Sequence, residues 1–342
     1  MTSKPNYILA IETSCDETSA AIVQDGTIIL SNVVSSQIET HKKFGGVVPE
    51  VASRQHVESI TLIIQEAFEK AGVRPSDLSA VAVTQGPGLV GALLIGIVAA
   101  KSLAYALDLP LIGVHHIAGH IYANQLVHTL EYPLVSLVVS GGHTELVFVE
   151  SEGSFRIIGQ TRDDAVGEAY DKVGRALKLP YPGGPHIDRL ALGAEEEALP
   201  LPRAWLEPDS YDFSFSGLKS AVLASLNQAN MKGLTLAPQA VAKGFQDSVI
   251  DVLVTKAMRA VREYGAKQLL LAGGVAANQG LRQQLAARCA EVGLPLLAPP
   301  LSLCTDNAAM IGAAAYLKWQ RGQFSDLDLT ADPQLKLEGW SV

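Results

Sequence analysis

Cysteine, aromatic side chains and positive charge are all in short supply in this sequence, and each shortage narrows what the chain can do. The three cysteines, Cys15, Cys289 and Cys304, are scattered and odd in number. They argue against a disulfide framework and for a reducing cytoplasm. Aromatics are 6% of residues, so small and aliphatic side chains must fill the core, which suits closely packed α/β layers. Lys and Arg number 26 against 35 Asp and Glu, a formal charge of -9. Affinity for phosphate backbones rests largely on Lys and Arg, so a nucleic-acid partner would need a local basic patch or a helper subunit. The longest apolar run, Leu89 to Ala100, is broken by Gly91 and Gly96 and stopped by Lys101. It is shorter than the roughly 20 residues a bilayer requires and reads as a buried helix. The first residues, Met1 to Asn6, are polar, with no apolar signal segment of the usual kind. No G-x-x-x-x-G-K-[ST] occurs.

What is present is an aliphatic α/β pattern that runs twice. The 342 residues are 48% hydrophobic, and a length prior of about 150 residues per domain suggests two domains. Tyr7 to Glu12 reads as a buried strand. Thr13 to Thr18 is a polar turn, and Ser19 to Val23 and Thr27 to Val34 are further strands, an antiparallel hairpin whose tip carries hydroxyls and carboxylates. Gly45 to Glu50 opens an amphipathic helix that ends near Ala71 and Gly72. Val81 to Thr84 is a strand, Gln85 to Gly88 a glycine turn into the apolar helix, and Leu109 to Val114 a strand. The second half repeats the order. Its strands are Leu134 to Ser140, Glu145 to Val149, Phe155 to Gln160 and Gln268 to Leu271, followed by a last strand over Leu294 to Ala298 and a last helix over Asp306 to Trp319. The expected class is therefore α/β, two duplicated lobes spanning 1–114 and 115–342, with a helix at about 306–325 that packs back on the first lobe. The Pro- and Gly-rich start at Pro180 marks a helical insertion at about 180–243. Two such lobes would hold a nucleotide in the cleft between them.

Three features carry chemistry. His116 and His120 sit i and i+4 on a helix that follows the strand at Leu109, so both imidazoles point to one face. Asp306 stands between polar and small residues at the start of the last helix, where Thr305 can serve as the cap and leave the carboxylate free. Two imidazoles and one carboxylate are the facial pattern of non-haem iron, and zinc accepts the same ligands. Cys304 close by is read as a buried structural thiol. Glycine turns at Ser140-Gly141-Gly142-His143 and Ala272-Gly273-Gly274 let the backbone close on a phosphate or acyl group, and Asn278 falls just inside the helix after the second.

With these motifs in place, the chain resembles the universal tRNA threonylcarbamoyladenosine transferase family, in its bacterial branch. The likeness is carried by Thr13 to Thr18, Gly46 to Arg54, Gln85 to Gly88, His115-His116-x-x-Gly119-His120, Val139 to Thr144, Phe213 to Lys219, Ala272 to Asn278 and Cys304 to Asn307. The resemblance implies an actin-like/sugar kinase/Hsp70 ATPase (RNase H-like) fold. It implies transfer of the threonylcarbamoyl group of threonylcarbamoyl-AMP to N6 of adenosine 37 in tRNAs reading ANN codons. In family terms His116, His120 and Asp306 hold the metal, usually Fe2+ with Zn2+ an alternative. Val139, Ser140, Gly141, Gly142, His143, Asp171, Gly184, Asp188 and Asn278 line the site for the adenylate or for ATP/ADP. Glu12 or Asp16 is expected to take the amine proton. Expected partners are tRNA, an inactive paralogue of the same fold and a small P-loop ATPase, with no membrane and a cytoplasmic location. Arg162, Lys172, Arg175, Lys178 and Arg189 are candidates to touch tRNA. Two other readings are weighed. A metalloprotease needs a glutamate after the first histidine, and Ile117 stands there. A non-catalytic ATP-binding switch of Hsp70-like fold would need Mg2+ on carboxylates and water, not imidazoles.

Overall fold

The buried strands and amphipathic helices fall in the order that the pattern predicts. The computed structural model describes residues 5–340. In chain order the elements are β1 (Tyr7–Glu12), β2 (Glu17–Gln24), β3 (Ile28–Ser36), α1 (Ile38–His41), α2 (Pro49–Ala71), β4 (Leu78–Gly86), α3 (Val90–Leu107), β5 (Leu111–His115) and α4 (His116–Tyr122). There follow β6 (Leu134–Val139), β7 (Thr144–Val149), β8 (Phe155–Gln160), α5 (Val166–Ala176), α6 (Gly183–Leu192), α7 (Ser216–Met231), α8 (Pro238–Glu263), β9 (Gln268–Ala272), α9 (Gln279–Glu291), β10 (Leu296–Leu297) and α10 (Ala308–Gln320).

The chain divides into two compact units. One comprises the chain up to Leu130, Glu152–Phe155 and the chain from Pro299 onward; the other comprises Glu131–Ser151 and Arg156–Ala298. The first unit holds a five-stranded sheet in the order β3-β2-β1-β4-β5, and the second strand set runs β10-β9-β6-β7-β8. In each, the first three strands of the set are neighbours in sequence order, and a fourth and fifth strand are added on the far side of the first. β1 and β2 are antiparallel, β1 and β4 parallel; likewise β6 and β7 are antiparallel, β6 and β9 parallel. The duplication is thus one of topology.

Alternation along β1 sorts its side chains between two layers. Leu9 and Ile11 join a cluster with Ile60 of α2 and Leu93 and Ile97 of α3. Ala10 faces α10, where a Cβ on Gly312 would lie 3.4 Å from the Ala10 methyl and 2.6 Å from Val23. Glu12 continues the Ala10 face, which turns it toward α4. Parallel pairing of Val83 with Ile11 brings Thr84 beside it.

Some boundaries differ from the sequence reading. The helix that holds the apolar run extends beyond it to Leu107, and Lys101, which interrupts the run, donates to Leu329 O at 2.9 Å. It is the one described helix long and apolar enough to cross a membrane, with a mean hydropathy of 1.9, and its inner side packs in the first unit's core. The last strand is only Leu296–Leu297, since Pro295 and Pro299 bound it and lack the N–H a ladder needs. The last helix starts at Ala308, not Asp306. Asn307 is its cap, accepting from Met310 N.

Candidate functional site

β5 is fully buried and delivers the chain into α4 with no intervening loop. His115 caps α4, its ring accepting from Ile117 N at 3.1 Å. His116 and His120 then fall one turn apart, with ring centroids 4.6 Å apart and nearly perpendicular planes. Gly119 between them lets α10 approach: a Cβ there would lie 2.8 Å from Ile311 Cδ1. Because Asn307 does the capping, the Asp306 side chain is released toward the two imidazoles. Nε2 of His120 lies 3.1 Å from both His116 Nε2 and Asp306 Oδ1, and His116 Nε2 lies 3.6 Å from that oxygen.

These three atoms fit a single cation. Ligand atoms about 2.1 Å from one ion and at right angles to each other lie about 3 Å apart, as these do. Three protein ligands of this kind are the donor set of the facial arrangement, which keeps the other positions of the ion for substrate oxygens. His120 Nδ1 is buried without a hydrogen-bond partner among the described residues, and its Nε2 meets only His116 Nε2 and Asp306 Oδ1, the two atoms that would share the ion with it. Behind the site, Nδ1 of His116 lies 3.1 Å from Glu12 Oε2 and 3.2 Å from the Ser14 hydroxyl. Glu12 accepts also from Ser14 N and, at 2.7 Å, from the Thr84 hydroxyl. A proton held on Nδ1 by Glu12 leaves Nε2 with its lone pair toward the site.

Without a metal, the electrostatics set the two histidines apart. Burial opposes charge on His116, but Asp306 and Glu12 overcome it and push the imidazole up to about 9. Burial likewise pushes Glu12 up, and the charge and hydrogen bond of His116 outweigh it, holding the carboxyl below its ordinary value. Burial holds His120 down, in the neutral form a metal requires.

The other expected residues are placed as follows. Glu12 is wholly buried and its oxygens are engaged, whereas Asp16 on the hairpin tip retains 8% exposure. His56 fixes that tip, with Nδ1 2.8 Å from the Thr18 hydroxyl and Nε2 2.9 Å from Cys15 O. The Cys15 thiol is raised well above its ordinary value by burial and then by Asp16, and is no nucleophile. Cys304 is fully buried, its thiol against Pro299 O and Pro300 O.

In the second unit, Ser140 N donates to His143 O at 2.8 Å and Ser140 Oγ accepts from His143 N at 3.0 Å, which folds Val139 to His143 into a tight turn with exposed Gly141 and Gly142. Gly273, at φ +89, lies against it: a Cβ would stand 2.4 Å from Val139 O. Asn278 is the cap of α9, accepting from Leu281 N, not a residue within the helix. Asp188 accepts from Gln279 N, Gly280 N and Gln246 Nε2. Asp171 accepts from Gly183 N at 2.7 Å, and Gly184 follows at the start of α6. Two residues that sequence reasoning missed join this group. Gln246 Oε1 accepts from Tyr170 at 3.2 Å and from Asn278 at 2.9 Å. The available signal was a lone amide on the buried side of α8. Of the expected basic residues, Arg162 pairs with Glu207 and Asp212, and Lys172 with Asp164 and Glu168.

A family model described as tRNA N6-adenosine threonylcarbamoyltransferase matches residues 28–313. Curated relatives of that name include a protein of Halalkalibacterium halodurans, 66% identical over 97% of this chain and 96% of the relative. Another, from Bacillus cereus, is 62% identical over 98% of each. Among solved structures, full-length HypF in its phosphate- and nucleotide-bound form aligns with a TM-score of 0.61 at 16% identity, over 94% of this chain and 47% of HypF. The activator of 2-hydroxyisocaproyl-CoA dehydratase from Clostridium difficile aligns at 0.55 and 13%, over 93% and 97%. At that identity the structural matches speak to fold alone, and they agree with the actin-like topology.

Proposed function

The chain belongs to the family of tRNA N6-adenosine threonylcarbamoyltransferases, and from that premise we propose how its residues serve the reaction. The enzyme is a tRNA-modifying transferase. The threonylcarbamoyl group of threonylcarbamoyl-AMP passes to N6 of adenosine 37 in tRNAs reading ANN codons. The observation that carries this reading is the convergence of His116, His120 and Asp306 within 4.8 Å of one another.

Threonylcarbamoyl-AMP is a mixed anhydride, so the carbonyl is already activated and AMP is the leaving group. The protein must bring the amine to the carbonyl and stabilise charge on the carbonyl and phosphate oxygens. His116, His120 and Asp306 hold the ion, Fe2+ in this reading, with Zn2+ able to take its place. The metal when bound supplies a Lewis acid and a template for oxygens. Glu12 keeps the His116 proton on Nδ1. Asp16, nearer solvent, is the better placed of the two carboxylates to take the amine proton. The Val139 to His143 turn and the amides at the start of α9 suit the phosphate. Asp171, Gly184, Asp188 and Asn278 suit the nucleoside.

A cytoplasmic enzyme of net charge -9 needs help to hold tRNA. The partners in this reading are a paralogue of the same fold and a small P-loop ATPase. Val57 and Leu62 of α2 and Val90, Leu94, Val98 and Tyr105 of α3 are exposed apolar side chains, which suits an interface with the paralogue.

Purified protein incubated with threonylcarbamoyl-AMP and tRNA, with and without partners, tests the proposal by nucleoside analysis of the tRNA. Modified adenosine in the wild type and none with His116→Ala is the expected result. Transfer retained by a metal-free His116→Ala protein would remove the metal from the mechanism.

A further inference from the structure

The helix that carries both imidazoles is seven residues long, too short to hold its own geometry. Its position is set from outside, and the structure contains a clear means. His115 is 2% exposed. Its Nδ1 accepts from Ile117 N at 3.1 Å. A neutral ring accepting there carries its proton on Nε2, and Nε2 donates to Leu335 O at 2.9 Å. One imidazole thus links the first turn of α4 to the chain's C-terminal segment.

That segment is anchored on β5, on the end of β4 and on α3 at four further points. Ser325 N donates to Leu111 O at 2.8 Å and its hydroxyl accepts from Gly113 N at 3.0 Å. Lys101 reaches Leu329 O at 2.9 Å. Asp332 N donates to Gln85 O at 3.0 Å, and a Cβ on Gly86 would lie 1.8 Å from Asp332 O. Trp340 Nε1 donates to Gly113 O at 3.0 Å, and Leu329, Leu337 and Trp340 are buried. The segment covers the open edge of β5, the strand that ends at the metal helix.

We infer that His115 is a positioning residue for the metal centre, clamped through the Leu335 carbonyl, so that the affinity of His116, His120 and Asp306 for their ion depends on the C-terminal segment. This rests on the proposed reading of those three residues as ligands. Groups that orient ligands are typically worth about tenfold or more in metal affinity.

The test is a titration of the full-length, metal-free protein with Co2+, followed by visible absorption. His115→Asn is the informative variant. Its shorter side chain keeps the cap on Ile117 N but cannot reach Leu335. Trp340→Phe removes a second anchor without touching α4. Both variants are expected to bind Co2+ more weakly, His115→Asn by about tenfold, with an altered cobalt band and a retained metal-free unfolding midpoint. Wild-type affinity in His115→Asn, with loss only in His115→Ala, would confine His115 to capping and overturn the inference. If His115→Asn fails to fold, unchanged affinity in Trp340→Phe overturns it. No Co2+ binding by the wild type would remove the ligand reading itself, and this inference with it.

Discussion

Nδ1 of His116 and Oε2 of Glu12 lie 3.1 Å apart in a part of the protein that solvent does not reach. Glu12 also takes the Thr84 hydroxyl and the Ser14 amide, so a neutral residue there leaves several buried donors unpaired. Glu12→Gln should weaken metal binding by about 10- to 100-fold. Glu12→Ala should cost about 3 kcal/mol of stability as well, the usual penalty for breaking a buried ion pair. Metal titration and thermal unfolding read the two effects separately. A Glu12→Gln protein with wild-type metal affinity would exclude the orienting role.

His116, pushed up to about 9, carries a proton at neutral pH when no metal is bound. The ion must displace that proton. Metal affinity should therefore rise by about tenfold per pH unit up to about pH 9 and level off above it. The metal-free protein should behave oppositely. A histidine whose pKa is raised on folding stabilises the fold below its unfolded value of 6.5, and that contribution is lost as pH rises toward about 9. Co2+ dissociation constants and metal-free unfolding free energies across pH 6 to 9 check both slopes. Flat metal affinity would mean that His116 is already neutral.

Gly273 takes φ +89 with no room for a side chain, its Cβ position 2.4 Å from Val139 O. Gly273→Ala combines an unfavourable backbone conformation with a clash against main chain that cannot swing aside. A loss of about 2 kcal/mol or more is expected, read by denaturant unfolding. Gly141→Ala, with open space around the Cβ, should cost much less and serves as the control.

What was legible in the sequence follows the range of the interaction. The His116 and His120 pair could be read because helical spacing alone brings the rings together. Asp306 was readable as a carboxylate among small residues, but its release comes from Asn307 capping α10, where the sequence reading had put the cap on Thr305. The place of Glu12 behind His116 needs the β1–β4 register, which no local pattern specifies. The His115 clamp ends on a backbone carbonyl, a group every residue possesses, so residue identity at Leu335 carries no trace of it. In the same way Asp188, expected to line the adenylate site, has its oxygens engaged by amides of a helix that begins far along the chain.

Gln246 offers the sharpest separation between the proposed metal centre and the proposed nucleotide site. It is 3% exposed and joins Asp188, Asn278 and Tyr170 through both ends of its amide. Leucine of similar size would leave the Tyr170 hydroxyl and the Asn278 amide without this acceptor, and Asp188 with one donor fewer. Each unpaired buried group costs about 1 to 3 kcal/mol, and part of that loss can be relieved by rearranging the start of α9. If Asp188 and Asn278 serve the adenylate, as proposed above, the rearrangement should raise KM for threonylcarbamoyl-AMP by about tenfold or more. The metal ligands all belong to the other compact unit, so Co2+ affinity should be unchanged. Steady-state kinetics beside a Co2+ titration of Gln246→Leu decide the matter. A fall in kcat at constant KM would place the effect on the chemical step and take Gln246 out of nucleotide binding.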